Sequence, residues 1–114
     1  MYGNFVYQID WLVDQVMEVL GRNSQTGNTL LIFTSDNGSP RRGGTSMNGE
    51  INSVRRFGHN PSYIYPGIKA DIWDGGHRIP FVSRQSEMIP ADTISQEPIC
   101  LTDLMGTVVE ILGA

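Results

Sequence analysis

The feature that most constrains this chain is the stretch Asn28–Gly38, which reads NTLLIFTSDNG. Leu30, Leu31, Ile32 and Phe33 make a continuous apolar run, not an alternating one. Such a run suits a strand covered on both faces, as in a parallel sheet flanked by helices. It stops abruptly at Asp36-Asn37-Gly38, because Asp and Asn favour turns and Gly opens positive φ. In open α/β sheets, ligands sit just beyond the carboxyl ends of the strands. Two oxygen-bearing side chains, Asp36 and Asn37, are thereby delivered to where sites of this fold class are built. The plainer reading of the same residues is a strand that ends in a polar turn.

The segments on either side support an α/β reading. Tyr2 to Leu20 carries Phe5, Ile9, Leu12, Val13, Val16 and Leu20 at helical spacing, so it is expected to form an amphipathic helix. Gly21 follows the last apolar position, where a C-terminal cap often falls. A polar connector, Arg22–Gly27, leads to the strand at Asn28–Thr34. Helix, short loop and buried strand make the second half of a βαβ unit.

The periodic pattern then dissolves. The 30 residues from Gly38 to Gly67 hold six glycines and three prolines. A loop of that length inside a compact domain is uncommon and is either functional or disordered. Tyr63, Tyr65 and Ile68 suggest that its second half packs down. Ile68–Trp73 alternates apolar and polar residues and predicts a short extended strand, and Asp74-Gly75-Gly76 predicts a turn. Arg78–Ser83 (RIPFVS) predicts a second short strand, placed at an edge or given an irregular start by Pro80. Arg84–Pro98 reads as a polar, proline-bearing loop. Leu101–Leu112 predicts a helix with Leu104, Met105, Val108, Ile111 and Leu112 on one side. Thr102 is its N-cap and Gly113 its C-cap, with Asp103 at the positive N-terminal end. The whole inventory, two helices and two or three strands, is thin for an independent α/β domain, whose sheet averages about 5–6 strands. The expectation is one unit, residues 1–114, that forms a fragment of a larger domain, with a long loop over about 38–67.

Composition narrows the function. With 39% hydrophobic and 18% charged residues the chain can form a core, which separates it from disordered sequences. A net charge of -4 argues against general nucleic-acid binding. Yet Ser35–Arg78 carries six basic residues against four acidic ones. A basic central region on an acidic body fits a small anionic substrate, and fits a solvated loop equally well. No apolar run approaches the roughly 20 residues needed to span a bilayer, so no membrane partner is expected. Met1-Tyr2-Gly3-Asn4 lacks the basic-then-apolar pattern of a signal peptide. Either the protein is cytoplasmic or a leader lies outside this sequence. Cys100 is the sole cysteine, so no internal disulfide forms; between Ile99 and Leu101 it reads as a small buried hydrophobe.

Few residues carry candidate chemistry. Asp36 and Asn37 offer hard oxygen donors, suited to Ca²⁺ or Mg²⁺ and not to zinc. They are two ligands where Ca²⁺ takes about six to eight, so the remainder must come from elsewhere. Lys69 stands between the Pro66-Gly67 turn and the Asp74-Gly75-Gly76 turn. It is either a solvated surface lysine or a point charge for a sulfate or phosphate oxygen. His59 and His77 are the two histidines, each read as a loop residue, a polar contact or a general acid.

Three stretches in order, NTLLIFTSDNG, GIKADIWDGGHRIPF and DLMGTVVEILG, resemble the type I sulfatases, arylsulfatase-like enzymes of the alkaline phosphatase superfamily. The opening helix, VYQIDWLVDQVMEVL, resembles the helix that precedes the family's Asp-Asn-Gly strand. The likeness covers nearly the whole chain. It implies an alkaline-phosphatase-like α/β fold, with helices on a mostly parallel sheet that this chain leaves incomplete. It implies that Asp36 and Asn37 are metal ligands for Ca²⁺, with Mg²⁺ as the second choice. It implies that Lys69 is the catalytic residue that holds the sulfate ester and offsets charge on the leaving oxygen. His59 falls where family loops supply substrate contacts, and Gly75, Gly76 and Arg78 look like the motif that turns the chain behind Lys69. The substrate class would be a sulfated small molecule or glycan, and the parent would be periplasmic or secreted.

The departures from the family pattern are equally specific. The family's formylglycine nucleophile arises in a Cys/Ser-x-Pro-Ser-Arg motif, and Cys-Leu-Thr-Asp-Leu at Cys100 does not match it. The paired aspartates near the family's N-terminus are also absent. The chain therefore resembles the C-terminal part of the catalytic domain, with the N-terminal part as its missing partner. Arg84-Gln85-Ser86 stands where the family has Trp-Pro-Gly, and Val13-Asp14 stands where it has Gly after the apolar residue. Two other readings stay open: a phosphoester or phosphonate hydrolase of the same superfamily, and a non-catalytic remnant acting as an interaction module.

Overall fold

The computed structural model describes residues 2–40, 58 and 60–113. Helix α1 spans Tyr2–Arg22, strand β1 Leu31–Thr34, the single-turn helix α2 Asp74–His77, strand β2 Phe81–Arg84 and helix α3 Asp103–Leu112.

Helix α1 runs one residue past Gly21 to Arg22, so the predicted cap there is not the end. The helix closes instead in a Schellman motif. Gln25 N donates to Leu20 O at 2.9 Å and Ser24 N to Gly21 O at 3.1 Å. Ser24 takes the left-handed conformation (φ 56°) that Gly normally fills. The Asn23 side chain adds a second bond to Val19 O at 2.8 Å, beside its own amide's at 3.1 Å. At the other end of the chain Gly113 (φ 67°) caps α3 as expected. Its start differs from expectation: Thr102 makes no side-chain cap bond. The Asp103 carboxylate accepts the Cys100 amide at 2.7 Å, and the helix begins at Asp103.

The parallel sheet predicted from the apolar run is not what the described residues form. Among the described residues the sheet has two strands, and they are antiparallel. Leu31 lies opposite Arg84, Ile32 opposite Ser83, Phe33 opposite Val82 and Thr34 opposite Phe81. A continuous apolar run reports burial, and burial alone does not set the direction of the neighbouring strand. Here the chain after β1 returns through the site region and comes back down β1's edge. Pro80, with no N–H, delays β2 until Phe81, and its carbonyl accepts the Thr34 hydroxyl at 2.8 Å. The sheet is tied to the α1 end by Gln85, whose amide donates to Gly27 O at 2.7 Å. Gln85 Oε1 also accepts the amide of Glu87 at 2.9 Å, which closes the turn that follows β2.

Ile68–Trp73 is not a strand. The segment folds into consecutive turns, because the Asp71 carboxylate takes the Ile68 amide and removes it from any ladder. Asp74–His77 tightens from the expected turn into one helical turn.

Burial is concentrated in an unusual place. Among the described residues no hydrophobic side chain is buried. Trp11 and Leu12 on α1 are each 56% exposed, and Met105 on α3 is 77% exposed. Among the described residues those that are buried are Gly38, Ser62, Gly75 and Gly76. The tightest packing of the described chain is therefore a backbone junction beyond the end of β1. Cys100, expected inside, is exposed.

Candidate functional site

That junction is where the sequence motifs meet. β1 ends at Thr34, and the chain turns as the Ser35 hydroxyl donates to Asn37 O at 3.0 Å. Gly38 N then donates to Gly76 O at 2.8 Å, and Lys69 N donates to Ser39 O at 2.9 Å. Gly75 N donates to Pro66 O at 2.7 Å. The strand end at Gly38–Ser39 is thus stitched through main chain to Lys69 and Gly76, some thirty positions further along the sequence, and Pro66 to Gly75. Only glycine permits the approach. A Cβ on Gly38 would lie 2.9 Å from the carbonyl carbons of both Gly75 and Gly76, with Gly75 O closer still. A Cβ on Gly75 would meet Pro66 O at 2.7 Å.

The turn that carries Lys69 is closed on itself. Ile68 N donates to Asp71 Oδ2 at 3.0 Å, and Asp71 N returns a bond to Ile68 O at 2.7 Å. Lys69 stands exposed at its top. Asp36 is exposed and Asn37 half-buried, both at the strand end. Their side chains touch: Asn37 Nδ2 donates to Asp36 Oδ1 at 2.9 Å. That bond leaves Asp36 Oδ2 and Asn37 Oδ1 without a donor among the described residues. Two hard oxygens at a strand end suit a calcium-type cation. In number they fall short: no group of three or more His, Cys, Asp or Glu side chains comes together among the described residues.

Beside the junction lies a cavity of about 230 Å³, lined by Ser39, Ser62, Tyr63, Tyr65, Arg78 and Pro80 among others. The Arg78 guanidinium sits 4.0 Å from the Tyr65 ring centroid, a cation–π contact that orients both side chains. His77 is exposed in α2, and His59 lies outside the described residues. At Cys100 the neighbouring Thr102, through its hydroxyl and its amide, holds the thiol below its ordinary pKa, and the Asp103 carboxylate opposes this.

Two residues of the junction are not among the candidates read from the sequence. Ser39 acts through its carbonyl, and no sequence signal marks that. Asp71 carried a usable signal, since Asp next to a turn commonly bonds a nearby backbone amide. The alternation of Ile68–Trp73 masked it.

No described helix is long and apolar enough to cross a membrane. The family model that matches the chain is described as Sulfatase and covers residues 1–114. Steryl-sulfatase of Homo sapiens is 36% identical over 114 residues, which is 100% of this chain and 18% of that protein. Arylsulfatase D of Homo sapiens is 33% identical over 99% of this chain and 18% of its own length. N-acetylgalactosamine-6-O-sulfatase of Bacteroides thetaiotaomicron is 39% identical over 72% of this chain and 16% of its own length. The chain thus spans less than a fifth of the length of these relatives. No solved structure matches it. With a family model matching end to end and its Asp-Asn-Gly, Gly-x-Lys and Asp-Gly-Gly stretches meeting at one junction, the chain belongs to the sulfatase family.

Proposed function

We propose that the chain is part of a sulfatase that hydrolyses sulfate esters, and that it contributes one side of the active site. Lys69 holds the ester: its ammonium donates to a sulfate oxygen and offsets charge on the leaving oxygen. Asp36 and Asn37 supply two oxygen ligands to a Ca²⁺ ion, the other ligands coming from outside the described residues. When bound, such a cation withdraws charge from the sulfate oxygens. The observation that carries this reading is the main-chain pair Gly38 N–Gly76 O and Lys69 N–Ser39 O. It makes the cation-donor segment and the lysine segment neighbours. The chain lacks a Cys/Ser-x-Pro-Ser-Arg motif, so the formylglycine nucleophile would be supplied by other sequence of the parent. By itself the chain is expected to turn over no substrate.

The test is a pair of variants in the complete enzyme, assayed with an aryl sulfate. Lys69→Ala is expected to lower kcat/KM by about 10²–10³-fold, the loss typical of removing one preorganised charge-stabilising donor. Asp36→Ala is expected to weaken Ca²⁺ binding measured by calorimetry, with activity partly restored by excess calcium. Wild-type kcat/KM in the first variant, or unchanged calcium affinity in the second, overturns the corresponding role. Turnover by the purified 114-residue chain would overturn the division of labour.

A further inference from the structure

We propose that Asp71 is a positioning residue that acts through Lys69, an inference that rests on the sulfate-holding role given to Lys69 above. The Lys69 backbone is fixed from both sides. Its own amide donates to Ser39 O at 2.9 Å. One residue earlier, the Ile68 amide donates to Asp71 Oδ2 at 3.0 Å, and Asp71 N closes the ring on Ile68 O at 2.7 Å. The turn is then seated against α2: a Cβ on Gly76 would lie 2.6 Å from Ile68 O. The Asp71 side chain is thus the clasp of the turn whose apex is Lys69. Without it the Ile68 amide loses its acceptor, and the Gly67–Ile68 peptide that leads into the lysine turn loses the bond that holds it.

A lysine side chain has four rotatable bonds and gains little from its neighbours on an exposed turn. The aim of its ammonium therefore depends on where its Cα is held. Misplacement of a charge-stabilising group by a fraction of an ångström weakens its hold on the transition state more than its hold on the ground state. The clasp needs an acceptor atom at the Oδ2 position and does not need a negative charge. An Asn side chain offers a carbonyl oxygen at the same reach, whereas Glu keeps the charge and displaces the acceptor by a methylene.

The experiment is a double-mutant cycle in the complete enzyme with an aryl sulfate as substrate and inorganic sulfate as competitive inhibitor. Asp71→Ala is expected to lower kcat/KM about tenfold, mainly through kcat, and to weaken inhibition by sulfate. In a Lys69→Ala background the same substitution is expected to change kcat/KM less than about twofold, because there is no ammonium left to aim. Asp71→Asn is expected to stay within about threefold of wild type, and Asp71→Glu to fall with Asp71→Ala. Equal losses from Asp71→Ala with and without Lys69 would show a general structural role and sink the proposal. So would a functional Asp71→Glu beside a crippled Asp71→Asn, which would mean that charge and not the clasp matters. The Asn/Glu comparison decides the matter even if Asp71→Ala fails to fold. Full activity of Lys69→Ala alone would instead refute the role of Lys69.

Discussion

The junction rests on glycines that leave no room for a side chain, and Gly76→Ala is the substitution that tests it most directly. The added Cβ would sit 2.6 Å from Ile68 O and nearer still to Asp71 O, whereas real Cβ atoms essentially never approach within 3.0 Å. The Ile68 carbonyl must therefore retreat by at least 0.4 Å, the gap between those two distances. Both obstacles are main-chain carbonyls of a closed turn and cannot swing away as a long side chain would. Overpacking of this kind costs about 1–3 kcal/mol. Two main-chain bonds are exposed to the same displacement, Asp71 N–Ile68 O at 2.7 Å and Gly38 N–Gly76 O at 2.8 Å. Each is worth about 1 kcal/mol, so the expected loss is about 3–5 kcal/mol in all. That is a large share of a typical folding free energy. The assay is urea unfolding of the complete enzyme followed by fluorescence, with kcat/KM measured below the transition. We expect an earlier midpoint and, in the folded fraction, a loss of about tenfold or more in kcat/KM as Lys69 moves away from Asp36 and Asn37. The matched control is Gly106→Ala. It adds a Cβ that meets nothing within 4 Å in the middle of α3. A Gly76→Ala protein with the wild-type midpoint and activity would refute the idea that this backbone contact organises the site.

Two further outcomes follow from the same description. Gly106→Ala, beyond serving as a control, should raise stability by about 0.5–1 kcal/mol, because alanine loses less backbone freedom in a helix than glycine; an unchanged or earlier urea midpoint would show that position 106 contacts something outside the described residues. Cys100 is exposed with its thiol pKa lowered chiefly by the Thr102 hydroxyl. As the thiolate is the reactive form, its alkylation by iodoacetamide, followed by mass spectrometry, should show a pH midpoint below that of an unperturbed thiol. Thr102→Val should move that midpoint up, and an unmoved midpoint would remove the hydroxyl as the cause.

The chain's local chemistry was legible in its sequence wherever one segment decides its own conformation. The spacing of Phe5, Ile9, Leu12 and Val16 defines α1, and Gly113 ends α3 in the left-handed conformation that glycine adopts without a Cβ penalty. The strand that leads to Asp36 and Asn37 was equally plain, since an apolar run followed by turn-forming polar residues has few other readings. Local competition was harder to see. Ser24 took the capping role expected of Gly21, and Asp71 converted an alternating segment into turns by capturing the Ile68 amide.

What only the tertiary structure decided concerns pairs of distant segments. The apolar run of β1 could not announce that its neighbour is antiparallel β2, because hydrophobicity records burial and carries no direction. Nor could Gly38 and Gly76 announce each other. A glycine in sequence is an absence of side chain, and it becomes a contact only when another backbone fills the space. The sequence named Asp36, Asn37 and Lys69 as candidates through the chemistry of their side chains. Their adjacency is set by main-chain hydrogen bonds through Ser39 and Gly76, and peptide groups are alike in every residue, so that bonding leaves no mark on the sequence.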